Sequence, residues 1–270
     1  PNMFSTLKRK AYETYTKSVD KAGLKPTLTE SQFVEKGVLT PEEFVQAGDF
    51  LVAKYRTWQW VGASDCKKTV DYLPADKQFL ITRNIRCATR AQGGPVAKTE
   101  IITIDGEDFE VPLEEKKEEV LEDDSDDIVD ADDIVDADEF SEEEDDTIAQ
   151  VDTNKTRTYD ISIIYSHFDR TPKVWLLGYD EDHKPLTESQ MFEDLSATHA
   201  GQTATTDTHP FLEIKEIYIH PCRHAQIMKK RVDEMIADGK TPRVDLYLMI
   251  FLKFLASVIP TMEYDYGKDF

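Results

Sequence analysis

The chain has 270 residues, and its 54 acidic and 32 basic side chains give a formal net charge of −22. The acidic excess lies in residues 105–146, which hold 24 Asp and Glu against two Lys, so the rest of the chain is electrically balanced. That remainder is large enough for one domain or two small ones. The composition excludes a collagen-like or wholly disordered chain, and no apolar run reaches the ~18–20 residues of a membrane-spanning helix. Three unmatched cysteines favour a reducing cytosol.

Residues 1–19 contain a candidate amphipathic helix, because apolar and aromatic residues recur there at steps of three and four. The apolar face carries Phe4, Leu7, Tyr12 and Tyr15, and the basic residues include Lys8 and Arg9. Two interpretations remain open. The helix packs on the domain, or it lies on a bilayer, with its aromatic residues in the interface and its basic residues on anionic lipid.

The next stretch has clear signals for regular structure. Residues 40–43 (Thr-Pro-Glu-Glu) form a capping-box pattern, which predicts a helix that runs to Val52. Trp58 and Trp60 lie two positions apart and would share one face of an extended strand. Residues 77–82 are β-rich and follow a turn, so a strand is predicted there.

Residues 91–153 interrupt this pattern. The sequence Asp-Asp-Ile-Val-Asp-Ala at residues 126–131 is repeated at once at residues 132–137. Such a segment repels itself and buries little apolar surface, so a mostly disordered acidic insertion is predicted. Aliphatic residues punctuate the acidic ones, which favours a segment that folds onto a basic partner over a plain solvating spacer.

Regular structure is predicted to resume at residue 154. Residues 158–165 and 173–179 are β-rich runs joined by a short polar loop that holds Thr171 and Pro172, which predicts an antiparallel pair. Residues 217–219 form a third β-rich run.

Two helices complete the chain. The first is predicted from Ala225 to Ala237, with Gly239 as its end, and the second from Val244 to Val258. The second is apolar on nearly all sides and is therefore expected to be buried. Helices before and after a small antiparallel sheet predict an α+β fold, built from residues 20–90 and 154–270.

The most informative stretch is His220-Pro221-Cys222-Arg223-His224, predicted at the end of a strand and the start of a helix. The helix N-terminus and Arg223 would favour the thiolate of Cys222, lower its pKa and make it nucleophilic. The alternative is an inert cysteine that acts as a small hydrophobic residue.

Three other interpretations remain open. His220, Cys222 and His224 alternate along the chain, so with His199 or His209 they could bind zinc, although the helix predicted near His224 breaks the alternation. A cysteine peptidase would need a histidine base, and His199 and His209 lie in polar loops without a recognisable pattern. The third interpretation is a non-catalytic binding domain.

Several stretches, in the same order, resemble the autophagy-related protein three family, the E2-like (ubiquitin-conjugating-like) enzymes that lipidate modifiers of the GABARAP/LC type. These stretches are residues 48–49, Trp58 and Trp60, 77–80, 157–160, 172–176, 220–224 and 258–266. The resemblance implies that Cys222 accepts the C-terminal glycine of the modifier from an E1-like activating enzyme as a thioester. Cys222 would then pass the modifier to the amine of phosphatidylethanolamine, without a metal or organic cofactor.

The resemblance also implies supporting residues. Ordinary ubiquitin-conjugating enzymes stabilise the oxyanion with an Asn after their His-Pro pair, and Cys222 holds that position here, so another donor is needed. In the family a Thr of a Lys-Thr-x-Thr segment is thought to substitute, and its match here is Thr203, in a segment where Gln202 replaces the Lys. His220 and His224 are candidates for supporting roles.

Partners follow from the same resemblance. The acidic insertion matches the family's flexible region, which recruits the E1-like enzyme and an E3-like autophagy conjugate, and the N-terminal helix would bring Cys222 to phosphatidylethanolamine membranes. Modifiers of this class bind aromatic-x-x-aliphatic peptides, so Phe192 and Leu195 are candidate modifier-binding residues, with a role in the fold as the alternative. The resemblance implies a cytoplasmic enzyme, transiently at forming autophagosome membranes, with no nucleic-acid partner. The alternative function is a catalytically inactive scaffold that gathers the same partners.

Overall fold

The computed structural model describes Tyr15, residues 26–87, 89–91, 156–196, 204–220 and 224–265, and the backbone alone of residues 99–104 and 107–112. Most of the N-terminal segment and of the acidic insertion lies outside the described residues, so the interfacial helix and the disorder of the insertion stay predictions. Tyr15 itself is helical and 61% exposed, and its ring meets the ring of Phe168 edge-on with 6.0 Å between centroids. In the part of the chain that the structure describes, no helix is long and apolar enough to cross a bilayer.

Eight strands and five α-helices are described. The helices are α1 (Phe33–Lys36), α2 (Pro41–Lys54), α3 (Glu188–Glu193), α4 (His224–Ala237) and α5 (Tyr247–Val258). The strands are β1 (Trp58–Val61), β2 (Phe79–Cys87), β3 (Thr99–Ile104), β4 (Glu107–Pro112), β5 (Arg157–Ser166), β6 (Thr171–Tyr179), β7 (Ala204–Thr208) and β8 (Lys215–Ile219). Short 3-10 helices lie at Ala63–Asp65 and Val244–Leu246.

Six of these strands form one antiparallel sheet in the order β1-β2-β5-β6-β8-β7. β1 and β2 precede the acidic insertion and the other four strands follow it, so two separated stretches of chain build a single sheet. Helices α2, α4 and α5 contribute side chains to the main hydrophobic core on one face of this sheet. The predicted α+β fold is confirmed.

The opposite face of the sheet carries a smaller apolar cluster. Its members come from five strands and from the loop after β7, and they include Phe79, Ile164, Trp175, Phe211 and Tyr218. Because side chains alternate across a strand, Ile217 and Ile219 of β8 belong to the main core while Tyr218 points to this second cluster.

The capping-box prediction is confirmed at the start of α2. The Thr40 hydroxyl oxygen accepts the Glu43 backbone N–H at 3.1 Å, and the Glu43 carboxylate accepts the Thr40 backbone N–H at 2.8 Å. Two orphan donors of the first turn are thereby satisfied. The helix then buries Phe44 and Leu51 completely in the core.

Three of the stretches that carry the family resemblance meet where α2, β1 and β2 join. Trp58 and Trp60 share one face of β1, as predicted. The indole N–H of Trp60 donates to Asp49 at 2.9 Å, and the Lys77 ammonium donates to the same carboxylate at 2.7 Å. A Cβ atom at Gly48 would overlap the Trp60 ring, so the close approach of the helix requires glycine there.

The structure corrects the predicted loop between β5 and β6. Thr171 and Pro172 lie inside β6, opposite Ser166 and Tyr165, and the loop is residues 167–170. β8 pairs with β6 only over residues 174–176, so Pro172 lies where the strand has one neighbour. A residue without an N–H is tolerated in that position.

Three further differences concern where the last helix begins and which strands are present. The last α-helix begins at Tyr247 after a 3-10 turn, rather than at Val244. β7 was not predicted, because its sequence Ala-Thr-Thr-Asp-Thr lacks the alternation of apolar and polar residues that marks a half-buried strand. The backbone of β3 and β4 forms a hairpin inside the insertion, where no strand was predicted, and the predicted disorder of most of the insertion stays untested. An Asp-Gly pair at residues 105–106 separates the two strands and is a strong hairpin signal.

Candidate active site

The candidate site is the connection from β8 to α4. β8 ends at Ile219, His220 follows it directly, and α4 begins at His224. This confirms the predicted position at the end of a strand and the start of a helix. Cys222 lies in the connection, outside the described residues, two residues from each of these histidines.

His224 anchors the helix end of the connection. It is buried, and its Nδ1 lies 3.2 Å from the carbonyl oxygen of Pro172 on β6. A carbonyl only accepts, so Nδ1 carries the proton and donates. The rings of Phe251 and Phe254 on α5 surround the imidazole at 5.1 and 5.6 Å. Burial lowers the pKa of His224 to about 4, so the side chain is neutral and positions α4.

A second contact holds the first turn of α4. Gly37, the residue after α1, has a left-handed backbone conformation with φ of 66°. A Cβ atom at this position would overlap the backbone carbonyl of Ala225. The backbones of the two segments are therefore in direct contact, which only glycine permits. The Gly37 carbonyl also accepts the Tyr247 hydroxyl at 2.8 Å, which ties α5 to the same point.

His220 anchors the strand end of the connection. It is 5% exposed, and its ring centroid lies 5.8 Å from that of Tyr218 on the same face of β8. Tyr218 in turn stacks on Trp175 of β6, with 4.8 Å between ring centroids. Both ends of the connection that holds Cys222 thus continue into packed aromatic clusters.

β7 borders the same end of the sheet. Its first residue, Ala204, pairs with Ile219, the last residue of β8. Thr203 immediately precedes Ala204 in the chain and lies outside the described residues. The two candidate residues Cys222 and Thr203 are therefore attached to neighbouring strands at adjacent ends, although the structure does not place either side chain.

His209, considered above as a zinc ligand or catalytic base, has a structural role. It is fully buried, and its Nδ1 accepts the backbone N–H groups of Phe211 and Leu212 at 3.2 and 3.1 Å. Its Nε2 therefore carries the proton and lies 3.1 Å from the Ser162 hydroxyl oxygen. Burial lowers the pKa of His209 to about 4. Both ring nitrogens already have hydrogen-bond partners inside the core. The structure therefore corrects the interpretations of His209 as a zinc ligand and as a catalytic base.

No metal cluster is found within the described ranges, which omit His199 and Cys222. No three His, Cys, Asp or Glu side chains lie close enough there to hold an ion. His224, which the zinc interpretation also used, already donates through Nδ1 from inside the core.

Two other cysteines are described, and both are held as thiols. Burial and the nearby Asp194 carboxylate raise the pKa of Cys87 to about 11. Burial and the adjacent Asp65 raise the pKa of Cys66. The thiolate is the nucleophilic form, so neither residue suits acyl transfer at neutral pH. Cys222 remains the candidate nucleophile.

The candidate modifier-binding pair belongs to the fold. Leu195 is fully buried, and Phe192 on α3 is partly buried against the main core. A peptide motif must offer both side chains to its partner, so the burial of Leu195 contradicts that role and supports the structural alternative.

Between these two residues lies Asp194, which sequence reasoning missed. Its carboxylate is fully buried and accepts the Arg157 guanidinium at 2.9 Å and the Tyr159 hydroxyl at 2.5 Å. Arg90 approaches its second oxygen at 3.4 Å. Arg90 and Arg157 precede and follow the insertion, so this cluster joins the two chain ends from which the insertion leaves. Arg157 and Tyr159 lie two positions apart and share one face of β5. This spacing was the sequence signal that could have indicated a shared acidic partner.

The antiparallel sheet with helices on one face, and a cysteine in the connection from β8 to α4, agree with the E2-like conjugating domain that the sequence predicts. Residues 43–266 match the sequence model of the autophagocytosis-associated protein active-site domain. Autophagy-related protein 3 of Dictyostelium discoideum is 40% identical, with 99% of each chain covered. The protein of the same name from Arabidopsis thaliana is 39% identical over 98% of this chain and 97% of its own.

A third relative, autophagy-related protein 3 of Saccharomyces cerevisiae, is 33% identical over 91% of this chain and 96% of its own. The chain belongs to the autophagy-related protein 3 family. This membership assigns it an E2-like conjugating role in autophagy, with a ubiquitin-like modifier and an E1-like enzyme as partners.

Proposed function

We propose that this chain carries a ubiquitin-like modifier of the GABARAP/LC type as a thioester on Cys222 and transfers it to phosphatidylethanolamine during autophagosome formation. The observation that carries the proposal is the anchoring of the Cys222 connection at both ends by His220 and His224, while Cys66 and Cys87 are held as thiols.

The chemistry consists of two acyl transfers. The Cys222 thiolate attacks the carbonyl carbon of the modifier's C-terminal glycine, a new S–C bond forms, and the sulfur of the E1-like enzyme leaves as a thiolate. The amine of the lipid then attacks the same carbon, the C–N bond forms, the S–C bond breaks, and the nitrogen loses a proton. A thiolate is both nucleophile and leaving group, so one cysteine serves both steps without a cofactor.

Thr203 is proposed to support the oxyanion or the acceptor amine. Thr203 directly precedes Ala204 in the chain, Ala204 pairs with Ile219, and Cys222 follows Ile219 by three residues. An oxyanion donor of this kind is typically worth ~3–4 kcal/mol in the transition state.

The flanking segments are proposed to supply the partners. Residues 1–19 would bind the membrane reversibly and raise the local concentration of the lipid amine around Cys222, with the enzyme otherwise in the cytoplasm. Residues 91–153 would bind the E1-like enzyme and an E3-like conjugate. The two stretches 20–90 and 154–270 would form the conjugating domain between them.

A loading assay tests the proposal. Incubation with the E1-like enzyme, ATP and the modifier should give a thiol-sensitive adduct of the wild-type chain on a non-reducing gel. The variant C222S should instead give a thiol-resistant oxyester, and the matched control C66S should load like wild type. If wild type forms no adduct, or if C222S still forms a thiol-sensitive one, the enzyme proposal fails and an inactive scaffold is favoured.

The membrane and insertion roles are tested separately. L7D should lower lipidation on liposomes while thioester loading stays normal, and unchanged lipidation would contradict an interfacial helix. Deletion of residues 113–146, which keeps the β3–β4 hairpin, should slow loading without loss of the folded domain. Normal loading after this deletion would reduce the acidic tract to a spacer.

A further inference from the structure

Helix α5 is apolar on the side that faces away from its most buried residues. Its only charged residue is Lys253, and its only other polar side chains are those of Tyr247 and Ser257. Three of its residues are half-buried rather than buried, namely Ile250, Lys253 and Ala256. They recur at steps of three and therefore share one side of the helix, which we call the outer side of α5. A helix that is apolar on nearly all sides needs cover on each of them.

The second strand of the β3–β4 hairpin lies against this helix. Cα atoms of β4 come within 8 Å of Cα atoms of α5, although the two elements are far apart in the chain. A two-stranded hairpin is only marginally stable in water by itself, and it needs a packing partner such as a helix. The backbone therefore brings together a hairpin that needs support and a helix that needs cover.

The register of the hairpin separates an apolar face from a polar one. Ile102 is paired with Phe109, and these two positions share a face with residues 100, 104, 107 and 111, because alternate residues of a strand lie on the same face. This face holds four apolar residues: Ile102, Ile104, Phe109 and Val111. Ile101 lies on the opposite face, among Thr99, Thr103, Asp108, Glu110 and Pro112. The hairpin is thus amphipathic, and its acidic residues complement the positive charge of Lys253.

The same helix supports His224, the first residue of α4. The rings of Phe251 and Phe254 pack against its imidazole, and Phe254 directly follows Lys253 in the chain. The hairpin on one side and His224 on the other are therefore both in contact with α5.

We propose that the outer side of α5 is an intramolecular docking site for the β3–β4 hairpin, which docks through the face that carries Ile102 and Phe109. Docking attaches the start of the insertion to the helix that supports His224. Residues 113–146 then leave the domain from beside α5 and not directly from the Asp194 cluster. The proposal does not rest on the proposed function, because it concerns only contacts within this chain.

Amide hydrogen exchange of the full chain tests the docking. In wild type, the paired amides of residues 99–112 should exchange at least about tenfold more slowly than the intrinsic rate of an unfolded peptide. I102N should bring this exchange close to the intrinsic rate and speed exchange in α5. The matched control I101N makes the same substitution at the adjacent position on the opposite face and should keep most of the protection. Intrinsic exchange of residues 99–112 in wild type, or equal losses of protection in I101N and I102N, would overturn the proposal.

A second variant tests the α5 side of the contact. K253E reverses the single charge of the helix and would repel the acidic hairpin, so exchange of residues 99–112 should become about threefold faster while β5 and β6 stay protected. The control is K240E, because Lys240 is exposed after the end of α4. K240E should leave exchange of the hairpin unchanged, and equal exchange of residues 99–112 in K253E and wild type would contradict docking on the outer side of α5. If K253E does not fold, K253Q gives the same readout.

Discussion

The imidazole Nδ1 of His224 lies 3.2 Å from the carbonyl oxygen of Pro172, and this hydrogen bond joins the first residue of α4 to β6. The bond is buried, so breaking it would leave a polar group unsatisfied inside the core. It therefore fixes where α4 begins relative to the sheet. Cys222 lies two residues before that point in the chain, which makes the stability of this junction relevant to the proposed reaction.

Stability should fall on acidification from pH 6.5 to 4. His209 and His224 are buried and neutral with pKa values of about 4, whereas the unfolded chain binds these protons near pH 6.5. The unfolded state then binds more protons than the folded state, so each histidine contributes stability above pH 6.5 that is lost as the pH falls, up to about 3 kcal/mol. Urea unfolding at several pH values measures this slope. H224Q should flatten the slope of stability against pH, whereas the control H183Q, at an exposed position, should not. An unchanged slope in H224Q would contradict a buried, neutral His224.

Glu216 should have the opposite effect at higher pH. Burial, with a contribution from Asp160, raises the pKa of Glu216 to about 8, while the unfolded chain loses this proton near pH 4.5. The folded state binds more protons in that window, so the stability is present below pH 4.5 and is lost as the pH rises through 8. E216Q removes the titration, and its stability relative to wild type should rise by up to about 5 kcal/mol between pH 4.5 and 8.

The matched control for E216Q is E181Q, because Glu181 is exposed. Its stability relative to wild type should be nearly independent of pH in urea unfolding. A constant difference between E216Q and wild type across this range would show that Glu216 is not protonated in the folded state.

G48A should destabilise the chain by about 1–3 kcal/mol. Helix propensity alone favours Ala over Gly by up to about 1 kcal/mol, so the sign of the change decides between propensity and packing. The added methyl group would overlap the Trp60 ring, which Asp49 holds in place. At Gly62 the nearest atom to an added Cβ, the Ala75 carbonyl oxygen, lies at an ordinary 3.4 Å, so G62A should be tolerated. Thermal unfolding compares the two; a G48A variant as stable as G62A would argue against the tight junction.

R157M should cost about 3–5 kcal/mol, because it leaves the buried Asp194 carboxylate with one cation fewer. The Arg157 side chain is 12% exposed, so water cannot replace it. R243M is the control, because the Arg243 side chain is 57% exposed in its ion pair with Asp245. This variant should have a free energy of unfolding close to that of wild type. Chemical denaturation measures both, and similar losses would mean that Asp194 does not depend on Arg157.

Local signals predicted several elements correctly. The capping box at residues 40–43 and the spacing of Trp58 and Trp60 depend on neighbours within one or two turns of chain, so they can be read without the fold. The position of the Cys222 stretch between a strand and a helix is also local. The misplaced loop at Thr171 and Pro172 arose because proline favours turns, whereas the pairing of β6 with β5 keeps these residues in the strand.

The sequence by itself determined the α+β class, the position of the acidic tract and, through its resemblance to a family, the candidate nucleophile Cys222. Only the tertiary structure decided that His209 and Leu195 belong to the core and that Asp194 joins the chain ends around the insertion. The physical reason is that burial and long-range pairing depend on residues far apart in the chain. No local pattern reports which side chains they bring together.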